Sequence, residues 1–220
     1  MNGDKECVII KEYHKIPTVW KRDPANNNKT LIEGAWATSE LEYLKDCQWV
    51  FTEKVDGTNI RVMWDGENVT FGGKTDNAQI PALLVTRLYE LFQAPPAISY
   101  LSAEFDSVCL YGEGYGAKIQ KGGGNYKADG VDFVLFDVKV GDWWLKREDV
   151  TNVADNLGIE AVTFVQFGTL CDAIELCRYG FTSSWGDFPA EGLVMRPSVE
   201  LTSRNGQRII AKIKHKDFIQ

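Results

Sequence analysis

The sequence predicts an α+β fold, in which mostly antiparallel sheets are flanked by a few helices. Turn signals separate short apolar stretches, helical spacing is confined to a few segments, and strand and helix do not alternate regularly as in a doubly wound fold. The chain has 220 residues, of which 44% are hydrophobic and 25% charged. These values suit one large globular domain or a tight pair. We expect a single domain over residues 1–220, because no clear boundary divides the sequence.

The clearest strands are predicted where two apolar stretches flank a turn. Residues 60–64 and 69–71 flank Asp65-Gly66, a dipeptide that favours a two-residue hairpin turn. A second hairpin is predicted at residues 133–140 and 143–146. Three single strands are predicted at residues 108–112, 191–196 and 208–214. Because hairpins join antiparallel strands, this order favours antiparallel sheets.

Three helices are predicted from apolar spacing and from stop signals. In residues 81–92 the apolar side chains recur at helical spacing, and the proline at the start suits a first turn. Residues 147–157 and 170–179 also read as helices, and each is followed by a glycine that suits a helix end.

Composition excludes several classes of protein. The five cysteines are odd in number and scattered, and they form no C-x-x-C pair. Neither a disulfide framework nor a zinc site is therefore indicated. Free cysteines are typical of a reducing compartment, so we expect a cytoplasmic location. The net charge of −7 argues against a protein that coats nucleic acid along its whole surface. No apolar run approaches the length of a membrane span, and neither a membrane nor an obligate protein partner is expected.

Lys54 is the first candidate for chemistry, in the segment Glu53-Lys54-Val55-Asp56-Gly57. A lysine attacks phosphorus only as the neutral amine, which costs roughly 4 kcal/mol near neutral pH unless the site helps. Burial and nearby cations, such as a metal ion or other lysines, lower that cost. The product would be a phosphoramidate, a covalent intermediate. Taken alone, this short pattern is more typical of a surface lysine before a turn.

Further charged groups follow on predicted strands. Glu113 ends a short apolar strand, Glu191 begins one, and Asp137 lies inside a third. Lys212 and Lys214 alternate along the last strand, so both project from the same side. Each has an ordinary structural explanation as a turn, core or surface residue.

Together and in this order, the segments resemble the covalent nucleotidyltransferase superfamily of polynucleotide ligases and messenger-RNA capping enzymes. The five segments that carry the resemblance are residues 54–57, 111–114, 133–138, 191–195 and 211–214. Within the superfamily, the chain resembles phage-type ATP-dependent RNA ligases that seal nicks in double-stranded RNA. Asn59 stands where DNA ligases usually carry arginine, and Phe136-Asp137 matches the pair whose phenylalanine stacks on adenine.

The resemblance implies an adenylation domain that uses ATP and Mg²⁺ or Mn²⁺. It implies that Lys54 is the nucleophile, that Lys212 and Lys214 bind the α-phosphate, and that Glu191 is a metal ligand. It further implies a nucleotide-binding set of Glu53, Asn59, Glu113, Phe136 and Asp137, in which Glu53 contacts the adenine amine, Glu113 holds the ribose and Phe136 stacks on the base. The partner implied is nucleic acid with 5′-phosphate and 3′-hydroxyl ends, with RNA favoured.

Four basic residues are candidates for contacts with nucleic acid. Arg61 and Lys74 are assigned to the nucleic acid or to the distal phosphates of ATP. Lys118 and Lys121 adjoin Gly122-Gly123-Gly124, and a flexible basic loop of this kind could hold a phosphate backbone. A mobile hairpin tip at the surface is an equal alternative for this loop.

Three alternatives remain open at the level of sequence. They are a DNA ligase, a capping enzyme that uses GTP, and a nucleotide-binding or RNA-binding module that has lost catalysis. Asn59 disfavours the DNA ligase, and the presence of every charged motif residue disfavours an inactive module. The chain ends at Gln220, soon after Lys214, so we expect no C-terminal nucleic-acid-binding domain in it and find adenylation better supported than strand sealing.

Overall fold

The computed structural model describes residues 12–218 and divides them into two compact units. Unit 1 contains the described residues up to His14 and the segment Asp56–Ala161, and unit 2 contains Lys15–Val55 and the described residues from Val162 onward. Each unit has a hydrophobic core of its own. The single adenylation domain over residues 1–220 therefore stays a prediction.

The strands and helices follow one another in the mixed order that the sequence predicts. The strands are β1 (Trp20–Arg22), β2 (Leu31–Trp36), β3 (Trp49–Glu53), β4 (Thr58–Trp64), β5 (Val69–Gly72), β6 (Val108–Gly116), β7 (Val131–Val140), β8 (Trp143–Trp144), β9 (Glu160–Ala161), β10 (Phe164–Gly168), β11 (Gly192–Pro197) and β12 (Ala211–Lys214). The helices are α1 (Ser39–Tyr43), α2 (Ala82–Phe92), α3 (Pro95–Glu104), α4 (Gly123–Tyr126), α5 (Arg147–Leu157) and α6 (Leu170–Tyr179), with 3₁₀ turns at Pro24–Asn26 and His215–Asp217.

Unit 1 is a sheet in the order β5-β4-β6-β7-β8, with helices packed on one face. Its core joins alternate residues of β4, β6 and β7 to apolar residues of α2, α3 and α5. The remaining strand, β9, pairs with β7 in parallel, whereas the other pairs of named strands in residues 12–218 are antiparallel. The predicted α+β class with mostly antiparallel sheets is confirmed.

Unit 2 is a four-stranded antiparallel sheet in the order β10-β3-β11-β12, with α6 packed against it and a separate β1-β2 pair. A capping box at Thr169 and Asp172 begins α6, so its start is fixed by reciprocal hydrogen bonds. Trp20, Leu41 and Trp49 join this core, so the segment Lys15–Val55 contributes to it.

Most of the predicted elements are confirmed, with changes at their ends. Helices α5 and α6 have the predicted bounds, and α2 begins one residue later because Pro81 is its N-cap. Strand β8 covers only Trp143–Trp144 of the predicted residues 143–146, since α5 begins at Arg147. Strand β12 begins at Ala211 instead of residue 208, because Arg208 forms an isolated bridge with Thr202.

Among residues 12–218, no helix combines the length and the apolar character needed to cross a membrane.

Candidate functional site

Lys54 directly follows β3 in unit 2, and its backbone continues the pairing of that strand with β11. Its N–H donates to the carbonyl of Gly192 at 2.9 Å, one step beyond the Glu53–Leu193 pair. The main chain at Lys54 is therefore held by a regular sheet hydrogen bond, and the direction of its side chain is set by the sheet.

The Glu191 carboxylate links two lysine side chains. Lys54 Nζ lies 2.7 Å from Oε2, and Lys214 Nζ lies 2.5 Å from Oε1. The pairing of β11 with β12 explains this geometry, because Gly192 lies opposite Lys214. The Glu191 side chain is 9% exposed and the two lysine side chains about one fifth exposed, at 19% and 20%. The cluster carries two positive charges against one negative charge, which suits a bound anion.

Burial alternates along β12 as predicted. Ala211 and Ile213 are buried in the core, whereas Lys212 and Lys214 are half-buried on the other side. Lys212 lies opposite Val194 of β11, two residues along the strand from Lys214. Three of the predicted catalytic residues, Lys54, Glu191 and Lys214, are in direct contact, and Lys212 projects from the same side of β12.

Glu53 is buried and bonded to a loop that sequence reasoning missed. Its carboxylate accepts from Ser183 Oγ at 2.5 Å, from the Ser184 backbone N–H at 2.9 Å and from Ser184 Oγ at 2.7 Å. Glu53 is only 1% exposed. In the sequence, the two serines carry no signal beyond a polar turn, because only the fold brings them to Glu53. The adenine contact of Glu53 stays a prediction.

In unit 1, the predicted nucleotide-binding residues share the sheet face that lies opposite the core. Ile60 and Val62 of β4 belong to the core, so the alternating residues Asn59 and Arg61 project from the other face. The strand register places Asn59 opposite Glu113.

A second row of residues crosses the same face. Arg61 lies opposite Tyr111, and Tyr111 lies opposite Asp137. Burial raises the pKa of Tyr111, so its hydroxyl stays neutral. Asn59 Oδ1 is buried and accepts no hydrogen bond from the described residues, which leaves an acceptor on this face for a ligand.

Phe136 occupies a bulge in β7. The register passes from Tyr111–Asp137 to Gly112–Leu135, so Phe136 is the extra residue of this bulge. Gly112 allows this local packing, because a Cβ there would lie 2.1 Å from the Phe133 ring.

The loop that carries Lys118 and Lys121 is fastened to Asp56-Gly57. The Asp56 N–H donates to Tyr126 Oη at 3.3 Å, and Gln120 Nε2 donates to the Gly57 carbonyl at 3.2 Å. Both lysines are exposed. The predicted basic loop therefore presents its charges to solvent while its base is anchored to the segment that follows Lys54 in the sequence.

Arg61 and Lys74 differ in their surroundings. The Arg61 guanidinium is 2% exposed and donates to the Gly73 carbonyl at 2.9 Å and to Asp76 at 2.7 Å. Lys74 is exposed. Arg61 therefore holds the turn after β5 in this structure, and its contact with nucleic acid stays a prediction, as does that of Lys74.

The described residues offer a metal ion one carboxylate at this cluster and no complete set of protein ligands. No group of three or more His, Cys, Asp or Glu side chains among residues 12–218 lies together in a form that could hold a metal ion. Mg²⁺ in phosphate-transfer sites commonly takes one or two carboxylates and completes its shell with phosphate oxygens and water. The Glu191 carboxylate fits that kind of shared site.

Comparison with known proteins gives a family and a fold. A sequence model of a family described as RNA ligase matches residues 47–214. No curated protein sequence matches the chain.

Solved structures of the Naegleria gruberi RNA ligase have a similar fold. A variant of that ligase with ATP and manganese aligns with a TM-score of 0.65 and 17% identity, over 93% of this chain and 56% of that chain. The ligase with pyrophosphate aligns with a TM-score of 0.62 and 18% identity, over 94% of this chain and 58% of that chain. This chain therefore spans less than two thirds of the length of those ligases, and at this identity the likeness concerns the fold alone.

Proposed function

Because this chain belongs to the RNA ligase family, we propose that it is an ATP-dependent RNA ligase that works through an AMP group attached to Lys54. The observation that carries the proposal is the cluster of Lys54, Glu191 and Lys214, in which two ammonium groups bind one carboxylate at 2.7 and 2.5 Å. All three residues lie within the matched segment.

The first step attaches AMP to the enzyme. The Lys54 ammonium loses a proton to solvent, and the resulting amine attacks the α-phosphorus of ATP. The N–P bond forms, the bond from the α-phosphorus to the bridging oxygen breaks, and pyrophosphate leaves while the nitrogen releases a second proton. Lys214 and Lys212 bind the α-phosphate oxygens and stabilise the charge that develops there.

Two further steps join the strands. The 5′-phosphate of the RNA attacks the phosphorus of the lysyl-AMP, so AMP passes to that phosphate and Lys54 is freed. A 3′-hydroxyl then attacks the 5′-phosphate, the phosphodiester bond forms, and AMP leaves. Each step is a nucleophilic substitution at phosphorus, so none requires an oxidant or a reductant.

Glu191 has two roles in this proposal. Before the nucleotide binds, its carboxylate accepts a hydrogen bond from Lys54 Nζ at 2.7 Å. Its carboxylate oxygens would hold Mg²⁺ or Mn²⁺ at this site. A bound cation supplies positive charge that neutralises the triphosphate.

The face of unit 1 supplies the nucleotide contacts. We assign Phe136 to stacking on adenine and Glu113 to the ribose hydroxyls, with Asn59 and Asp137 as polar groups beside them. The buried and unbonded Oδ1 of Asn59 supports this assignment, because a ligand donor would satisfy it. The Naegleria gruberi structures with ATP and with AMP and manganese support the choice of nucleotide and cation.

We propose that the substrate is broken RNA in the cytoplasm, with 5′-phosphate and 3′-hydroxyl ends. The family match supports RNA. The odd number and scattered positions of the cysteines support the cytoplasmic location.

Labelled nucleotide tests the proposal directly. The protein is incubated with α-labelled ATP or GTP and Mg²⁺ or Mn²⁺, and then separated on a denaturing gel. We expect a labelled band with ATP that disappears in Lys54→Ala and persists in Lys45→Ala, whose side chain lies on the surface beside Asp46. A band with GTP alone, or an undiminished band in Lys54→Ala, would contradict the proposal.

A further inference from the structure

An aromatic cluster covers the face of unit 1 that carries the proposed nucleotide contacts. The aromatic cluster consists of Tyr13, His14, Tyr111, Phe136 and Trp144. Tyr13 and His14 precede residue 47, where the family match begins. The five motifs therefore do not include these two residues, although both lie on the same face of unit 1.

Tyr13 makes two contacts with the residues assigned to the nucleobase. Its hydroxyl donates to Asp137 Oδ2 at 2.5 Å, and its ring lies edge-on to Phe136 with the centroids 5.1 Å apart. Asp137 is 0% exposed, and Tyr13 is 9% exposed. The hydrogen bond is therefore shielded from water, where it has the greatest effect on the geometry of both partners.

Contacts from other parts of unit 1 reach both residues. Phe136 is the extra residue of a bulge, so the ladder between β6 and β7 does not fix its position. Asp137 carries a buried carboxylate, which is stable only when donors satisfy it. Tyr13 provides one such donor and one ring edge at the same time.

We propose that Tyr13 is a positioning residue for nucleotide binding, which fixes Asp137 by its hydroxyl and the Phe136 ring by its edge. Tyr13 thereby completes the proposed nucleotide-binding surface of unit 1. The inference rests on the proposed function, because it assigns Phe136 and Asp137 to the nucleotide. It goes beyond that function by giving a role to a residue outside the matched motifs.

Tyr13→Phe separates the hydroxyl from the ring. The phenylalanine keeps the ring edge and removes the donor, so the Asp137 carboxylate loses this hydrogen bond and is held less firmly. We expect the KM for ATP in lysyl-AMP formation to rise roughly tenfold, with kcat changed less than about twofold. A merely structural contact would lower the fraction of folded enzyme, which reduces the apparent kcat and leaves KM unchanged.

Tyr100→Phe is the matched control. Tyr100 belongs to α3, packs against the core of unit 1 and meets Phe105 edge-on at 6.0 Å. This change removes a tyrosine hydroxyl from the same unit, away from the aromatic cluster, and should leave KM and kcat as in the parent. A rise in KM equal to that of Tyr13→Phe would overturn the inference.

A second pair of variants keeps the test sharp if Tyr13→Phe folds poorly. Asp137→Asn retains an oxygen that can accept from Tyr13, whereas Asp137→Ala removes it. We expect the KM for ATP to rise less in Asp137→Asn than in Asp137→Ala. Equal rises in the two variants would contradict a role for the Tyr13 hydroxyl.

Equilibrium binding distinguishes failure of this inference from failure of the proposed function. ATP is titrated into Lys54→Ala and into Lys54→Ala with Tyr13→Phe, and the heat of binding is measured. We expect Kd to be roughly tenfold higher in the double variant. Equal Kd values would overturn the role of Tyr13 while leaving the proposed function standing. Absence of ATP binding in both, together with absence of a lysyl-AMP band in the parent, would overturn both.

Discussion

The backbone at Gly57, three residues after Lys54 in the sequence, packs closely against β6. A Cβ at this position would lie 2.2 Å from the carbonyl oxygen of Gly114 and 2.8 Å from Cγ of Glu113. The first of these atoms belongs to the backbone of β6 and cannot move by itself. The glycine three residues after Lys54 is therefore required by a close approach of two chain segments in unit 1.

Gly57→Ala should destabilise unit 1 and disturb Glu113. Overpacking against a backbone atom typically costs about 1–3 kcal/mol, and urea unfolding should show a loss in that range. Gly124→Ala is the matched control, because nothing lies within 4 Å of its Cβ position. That control should stay within about 0.5 kcal/mol of the parent. A tolerated alanine at residue 57 would contradict the packing described.

Local sequence signals predict some residues of the site and miss others. The charged residues of the motifs are visible because each ends or begins an apolar stretch, as Glu113 and Glu191 do. Ser183, Ser184 and Tyr13 have no such signal, since they reach Glu53 or Asp137 only through contacts between distant parts of the sequence. Their contribution could not be read before the fold was known.

At the scale of elements, Asp132 connects the start of β7 to two basic side chains. It accepts from Lys127 at 2.7 Å and from Arg87 of α2 at 3.0 Å. Burial alone would raise the pKa of the Asp132 carboxyl, but the hydrogen bonds from Lys127 and Arg87 outweigh it and lower the pKa. The carboxylate thus ties α2 and the end of the basic loop to the sheet.

Asp132→Asn should reduce stability in a pH-dependent way. A carboxyl whose pKa is lower in the folded state stabilises the fold above its unfolded pKa, near 3.9, and loses that effect as pH falls through the folded pKa. We therefore expect a deficit of about 1 kcal/mol at pH 7 in urea unfolding, which shrinks below about pH 4.

Asp142→Asn serves as the control for that experiment. Asp142 also lies in unit 1, but its side chain is 98% exposed. Its replacement should change the unfolding free energy little at either pH, because exposed ion pairs contribute little. A deficit in Asp132→Asn that persists unchanged at pH 3 would show that charge is not its cause.

Element boundaries were predictable where two signals agreed. Helices α5 and α6 combine helical spacing with a following glycine, and both have the predicted bounds. Helix α3 was missed because Pro95-Pro96 resembles a loop, although prolines suit the first turn that they occupy here. Strands β3 and β10 were missed as well, since their apolar residues show no clear alternation.

For the whole molecule, the net charge of −7 implies that the proposed RNA substrate is bound by local basic groups. Lys118 and Lys121 are exposed on a loop whose base is anchored by hydrogen bonds to Asp56 and Gly57. We propose that these two lysines hold RNA phosphates at a defined place, since the net negative charge of the chain disfavours phosphate contacts over its whole surface. Binding should therefore involve few phosphate contacts.

RNA binding should depend on salt and on these two lysines. We expect the affinity for a nicked RNA duplex to fall with salt, and the log–log slope to decrease by about one for each lysine replaced by alanine. The control replaces Lys21 and Lys29, two exposed lysines of unit 2, and changes the net charge equally. A slope that is flat in salt, or equally reduced in the control, would exclude the basic loop as the contact.

Mass spectrometry of the intact protein tests whether Lys54 becomes covalently attached to AMP. The protein is incubated with ATP and Mg²⁺, its mass is measured, and the modified peptide is sequenced. We expect the mass to increase by one adenylyl group, which is located on Lys54 and is removed when pyrophosphate is added. An unmodified protein, or an adenylyl group located on another residue, would contradict it.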